Sequence, residues 1–190
     1  MNHLAHLFLA PATVPGRVGA LLGDFAKGVD IQGLPPEVYA GLTHHRAVDA
    51  FTDRHPEVAA CKALFSSQRR RFAGVALDVL FDHYLLRHWS RFANRGSNQF
   101  IQEVYRDLEL GRDLMPESMV LTTTRMIEGD WFNAYRDLEN IGMALDRIAG
   151  RLRRANQFDG IIDEIRVNDR TLEGHFLRFF SELQRRYDRP

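Results

Sequence analysis

The sequence predicts an all-α fold of about seven or eight helices, forming one domain over residues 1–190. Three observations carry this. Apolar residues recur at three- and four-residue intervals almost throughout, no segment alternates apolar and polar between hairpin turn signals, and the breaks are short. From Arg69 to Ala93 the helical period runs without an internal proline, Ser97 can cap a helix through Asp107, and Pro116 suits the first turn of the next. Trp131, Tyr135, Leu138, Ile141, Leu145 and Ile148 form an apolar stripe. A second stripe runs from Phe158 through Ile161, Ile165, Leu172, Phe176 and Phe180 to Leu183, with a break expected near Asn168-Asp169. Connections fall at Gly28 to Pro36, Arg95-Gly96, Leu114 to Pro116 and Gly129-Asp130.

With 190 residues, 45% of them hydrophobic, and 13 phenylalanines, the chain can bury a sizeable core. Lys+Arg and Asp+Glu are both 25, so the formal net charge is zero. That argues against nucleic-acid binding, which draws on a net positive field, and leaves room for a local basic patch. The one cysteine, Cys61, makes no disulfide framework or Cys-rich zinc site and fits a reducing, cytoplasmic compartment. Met1 to Pro15 holds no Lys or Arg, and His3, His6 and Pro11 interrupt its apolar stretch, unlike a secretory signal. No run approaches the roughly 18 apolar residues of a membrane span. A soluble protein is expected.

Three places set polar residues against the pattern. In Val75 to Leu86, Asp78 and Asp82 interrupt a run apolar on all sides. They lie one above the other on a helix face, with His83 about 100° round. Buried carboxylates so stacked call for a cation: a metal ion, an arginine or a protonated histidine. In Leu42 to Asp53, His45 and Asp49 share a face, an imidazole and a carboxylate able to hold a metal or to support one that does. Arg46 beside them can hold a phosphate or pair with a buried Asp. Near the N-terminus, Asp24 follows Leu21-Leu22-Gly23 and precedes Phe25, while His6 alone reads as a core histidine. Gly16, Gly19, Gly23 and Gly28 read first as close-packing positions. His-Glu-x-x-His, Gly-x-Ser-x-Gly, the P-loop and paired Glu-x-x-His motifs are missing.

Taken in order, Asn2-x-Leu4-Ala5-His6-Leu7, Leu21-Leu22-Gly23-Asp24-Phe25, His45-Arg46-x-x-Asp49-x-x-Thr52-Asp53 and Leu77-Asp78-Val79-x-x-Asp82-His83-x-Leu85-x-x-His88-Trp89 resemble the acyl carrier protein phosphodiesterase family. A weaker match continues through Trp131, Tyr135-Arg136-Asp137 and Arg151. The resemblance implies an HD-domain-like helical hydrolase that uses a divalent metal, Mn²⁺ or else Mg²⁺, Fe²⁺ or Co²⁺. The substrate it implies is holo acyl carrier protein, cleaved to apo protein and 4′-phosphopantetheine.

Carried over, Asp24 is the essential metal-site acid, and His6, His45, Asp78, Asp82 and His83 are the other ligands or their neighbours. Arg46 and Asp49 support them. The order Asp82-His83 is the reverse of the pair that names the HD-domain hydrolases. His45 or His83 would protonate the leaving serine oxygen, and Arg46 would neutralise phosphoryl charge. Because acyl carrier proteins are acidic, docking would fall to Arg69, Arg70 and Arg71 or to Arg151, Arg153 and Arg154, while Arg185-Arg186 reads as a solvated face. Neither a nucleic acid nor a membrane is an expected partner. The competing readings are a metal hydrolase of a nucleotide or other small phosphodiester, and a non-catalytic helical protein whose Asp, His and Arg residues form a salt-bridge network.

Overall fold

The computed structural model describes residues 1–151 and 158–187. Among the described residues there are eleven α-helices, three 3-10 turns and no strand. The helices are α1 (His3–Leu9), α2 (Val14–Leu22), α3 (Pro36–Arg54), α4 (Pro56–Ala63), α5 (Ala73–Arg87) and α6 (Trp89–Phe92). After them come α7 (Ser97–Leu110), α8 (Glu117–Glu128), α9 (Trp131–Ala134), α10 (Leu138–Ala149) and α11 (Ile161–Tyr187). Short turns at Gly23–Phe25, Arg70–Phe72 and Arg112–Leu114 complete the list. None of the helices is long and apolar enough to cross a membrane.

The all-α class holds, and the helix count exceeds seven or eight because long apolar periods break locally. Between α5 and α6 the backbone of His88 leaves helical geometry at φ −110, ψ 24. Before α9, Asp130 sits at φ 43 in the left-handed region, where Asp is among the more tolerant residues. The opposite happens at Asn168-Asp169, where α11 runs through without the expected break. There Asn168 Nδ2 donates to Glu164 O and the Tyr84 hydroxyl of α5 donates to Asp169 Oδ1. Gly96 and Pro116 take the N-cap positions of α7 and α8, so Ser97 lies one residue inside.

Helix α5 is central, with Leu77, Leu80, Phe81, Tyr84 and Leu85 at 1% exposure or less. Helix α11 lays Phe176, Phe179 and Phe180 across it, with ring centroids 5.3 Å apart for Phe81–Phe176 and 5.2 Å for Phe176–Phe180. Full burial of each such ring stabilises the fold by roughly 1.5–3 kcal/mol. Helices α2 and α3 pack backbone to backbone: a Cβ on Gly19 would lie 2.1 Å from Val38 O, so only glycine permits the contact. Arg17, 1% exposed, ties α2 to α7 through Glu103 and Asp107. These contacts fix where α1, α3 and α5 present their polar residues.

Candidate metal centre

Helix α3 carries His45 and Asp49 one turn apart, and α1 brings His6 against them. Each offers one ligand atom, and the three atoms lie within 4.8 Å of one another. Asp49 bridges the imidazoles, with Oδ1 3.0 Å from His6 Nε2 and Oδ2 3.0 Å from His45 Nε2. The two rings stack with centroids 3.8 Å apart and planes at 17°.

Both rings are placed where they could hold a cation. His45 Nδ1 donates to Ala20 O at 2.6 Å, which turns Nε2 toward Asp49. Such a bond from the far nitrogen orients a metal-binding imidazole. The ring fits only because residue 23 is glycine: a Cβ there would lie 2.1 Å from His45 Cδ2. His6 is 1% exposed and neither ring nitrogen finds a hydrogen bond, although Asp49 lies close to one of them. Burial pushes its pKa down to about 4, so it stays neutral at physiological pH. For Asp49, burial opposes ionisation, but His45, His6 and the amino group of Met1 outweigh it and hold the carboxyl well below its usual range. The result is two imidazoles and one carboxylate, a donor set that fits a divalent transition metal.

Acidic residues flank the group. Asp24, on the turn after α2, has Oδ1 4.0 Å from His45 Nε2, while its Oδ2 accepts from His3 Nδ1 at 3.0 Å. Burial works against its ionisation, but the His3 hydrogen bond together with the charge interactions of His3, His45 and His6 outweighs it, lowering its pKa. Asp78 of α5 faces the same space: the Met1 ammonium lies 3.3 Å from Asp78 Oδ1 and 3.0 Å from Asp49 Oδ1. A positive charge is therefore accommodated between the carboxylates of α3 and α5. Burial raises the Asp78 pKa.

Of the residues singled out in the sequence, His6, His45, Asp49, Asp24 and Asp78 come together. Asp49, read there as a supporting acid, offers a potential ligand atom beside the two imidazoles. Two expected ligands do not join the group. Asp82 is fully buried and accepts from Leu4 N at 3.1 Å and Ala5 N at 2.9 Å, so it satisfies first-turn amides of α1. Burial pushes its pKa up to about 7, against the pull of those amides. His83, rotated about 100° from Asp82 on the helix, donates from Nδ1 to Tyr135 O at 2.8 Å. Its pKa is lowered by burial. Arg46 is exposed on α3 and makes no ion pair among the described residues.

The first arginine cluster is only partly free. Arg69 pairs with Glu164 at 3.1 Å and donates to Asp159 O, fastening the α4–α5 connection to the start of α11. Arg70 donates to Ala63 O and Phe65 O, and Arg71 stacks on Phe72. Arg153 and Arg154 lie outside the described residues. Arg151 is exposed and, with Arg147, lines a groove of about 560 Å³ between α8, α9 and α10 that reaches Asn2 and His3. His3 and Arg147 were missed. The available signal for His3 was its position three residues before His6, which puts both on neighbouring parts of one helix face.

The family model described as acyl carrier protein phosphodiesterase matches residues 1–183. Proteins named acyl carrier protein phosphodiesterase from Serratia proteamaculans and from Escherichia coli O157:H7 are each 34% identical to this chain. One from Shigella boydii serotype 18 is 31% identical. Each comparison covers 96% of this chain and 95% of the relative. No solved structure matches. With both the family model and near full-length relatives in agreement, the chain belongs to the acyl carrier protein phosphodiesterase family, a family of phosphodiester hydrolases.

Proposed function

We propose that this protein is a single-domain, metal-dependent hydrolase of holo acyl carrier protein. It cleaves the phosphodiester between 4′-phosphopantetheine and a serine, releasing apo acyl carrier protein and free 4′-phosphopantetheine. Family membership supports the substrate. The observation that carries the metal chemistry is the buried group of His6, His45 and Asp49, in which His6 Nδ1 has no hydrogen-bond partner and Nε2 meets only the Asp49 carboxylate. Buried polar groups left unpaired are rare and ask for a ligand. Two imidazoles and a carboxylate favour a first-row transition ion, Mn²⁺ or Fe²⁺ before Mg²⁺.

His6, His45 and Asp49 would hold a divalent metal, which would supply positive charge near the phosphoryl group and lower the pKa of a water. The protein's own part is positional. Ala20 O and Gly23 fix the His45 ring, and Asp49 holds both imidazoles in register. Asp24 accepts from His3 Nδ1, which leaves His3 Nε2 to deliver a proton to the departing serine oxygen as general acid. His45 cannot take that role, because Nδ1 is committed to Ala20 O and Nε2 to Asp49. Exposed Arg147 and Arg151 meet the acidic partner beside His3. Cys61, buried and free, fits a cytoplasmic setting.

The test is the intact mass of holo acyl carrier protein after incubation with this protein and Mn²⁺, beside an EDTA control. Loss of one phosphopantetheine mass, abolished by EDTA, is the expected result. An unchanged mass with metal bound overturns the substrate assignment.

A further inference from the structure

The groove between α8, α9 and α10 has a distinct chemistry. One wall is apolar, built from Val79, Trp131, Met143 and Ile148; Asn2, His3, Thr122, Asn140, Arg147 and Arg151 line the rest, and no carboxylate lines it among the described residues. Its volume, about 560 Å³, falls within the range of small-molecule sites. One polar group is fixed in orientation: Asn140 Nδ2 donates to the backbone of Ala134 at 3.0 Å, which leaves Oδ1 as an acceptor. An acceptor held on an apolar wall suits an amide N–H better than it suits a charged group. The missing carboxylates argue against an ammonium or a sugar edge, both of which such sites grip with acids.

Two side chains link the groove to the candidate metal centre. His3 lines it and donates to Asp24, and Asp24 lies 4.0 Å from His45 Nε2. A phosphodiester at His6, His45 and Asp49 would therefore have one of its two substituents directed past His3.

We propose that this groove is the subsite for the pantetheine arm, holding that uncharged, amide-bearing chain while the phosphodiester lies at the metal centre. The inference rests on the function proposed above. It assigns Asn140 to an amide of the arm, Trp131, Met143 and Ile148 to its methyl and methylene groups, and Arg147 to the rim facing the carrier protein. Substrate selection then has two parts: the arm is read by the groove and the protein by the rim.

The experiment uses the full chain loaded with Mn²⁺ and free pantetheine, which has no phosphate. Trp131 reports occupancy through its fluorescence. A saturable change at millimolar pantetheine is expected in the wild type and not in Trp131→Phe or Ala144→Phe, the latter filling the groove. Ala144→Phe should lower kcat/KM for holo acyl carrier protein tenfold or more, mainly through KM. That loss should be at least tenfold larger than its loss toward bis(4-nitrophenyl) phosphate. Met143→Glu, at a half-exposed position that folding tolerates, should act in the same direction. Thermal melts establish that both variants are folded. Pantetheine failing to bind the wild type, or equal losses on the two substrates, overturns the subsite. So does holo-protein turnover that both variants leave unaltered. A wild type that binds pantetheine in the groove yet never shortens holo acyl carrier protein refutes the hydrolysis reading and leaves the groove assignment standing.

Discussion

Asp24 accepts a hydrogen bond from His3 Nδ1 at 3.0 Å while its other oxygen lies 4.0 Å from His45 Nε2. One carboxylate thus joins the histidines of the candidate metal centre to a histidine on the wall of the groove. In the proposed hydrolysis, an acid so placed would serve both the nucleophile and the leaving group.

His3→Gln should lower kcat on holo acyl carrier protein roughly 100-fold, at the low end of general acid–base effects. KM should change little. A diester with a 4-nitrophenolate leaving group needs no proton on departure, so its hydrolysis should fall far less. Comparable losses on both diesters in steady-state assays would remove His3 from the acid role.

Gly23→Ala tests the histidine cradle. The added methyl falls 2.1 Å from the His45 ring, so the ring must move off its Ala20 hydrogen bond. Loss of such an orienting partner costs roughly 10- to 100-fold in metal affinity. Calorimetric Mn²⁺ titration should show that loss. In the wild type, Mn²⁺ at 100 times its dissociation constant should stabilise the fold by about 2.7 kcal/mol, and His45→Ala should abolish the shift in melting temperature.

The buried titrating groups set opposite pH slopes in the metal-free protein. His6, with its pKa pushed down from 6.5 to about 4, binds fewer protons folded than unfolded between those values. Its contribution is present above pH 6.5 and is lost as pH falls toward 4, by roughly 3 kcal/mol in all. Asp82 has its pKa raised from 3.8 to about 7, so its contribution is present at acid pH and is lost as pH rises through 7. His6→Phe should therefore flatten the acid limb of a stability–pH curve measured in EDTA. Asp82→Asn should flatten the limb between pH 4 and 7, after a general cost of about 1 kcal/mol for the weakened support of the α1 terminus. Unchanged slopes in denaturant titrations would contradict these assignments.

Charge reversal separates the arginine clusters. Arg147→Glu with Arg151→Glu should raise KM for holo acyl carrier protein several-fold and reduce its dependence on added salt, since steering by exposed charge is screened. Arg69→Ala should instead loosen the α11 contact with Glu164, lowering stability with KM little changed. Michaelis constants at low and high salt, measured beside melting temperatures, distinguish the two effects.

Much of the architecture was legible before any coordinates. The three- and four-residue periods mark α5, α10 and α11, and the His45–Asp49 spacing placed both side chains on one face of α3. The block from Val75 to Leu86 identified α5 as central, which its burial bears out. The ordered blocks around His6, Asp24, His45 and Asp78 carried the family. The helix count was less legible, because single residues such as His88 and Asp130 leave helical geometry without an apolar signal.

The roles within the centre were decided elsewhere. Asp78 and Asp82 are the same residue type one turn apart, yet one faces the Met1 ammonium beside Asp49 and the other supports α1. That difference depends on where a helix 70 and more positions away in the chain begins, as the Leu4–Asp82 separation of 78 shows. His83 followed Asp82 in sequence and left it in space by a helical rotation, and Arg69, an expected docking residue, pairs with Glu164 across 95 positions. Helical periodicity is a local property, so the sequence carries the faces, the central helix and the donor types. Which donors converge is set by long-range packing of α1 and α3 against α5, where burial and the available partner fix each side chain's charge and task.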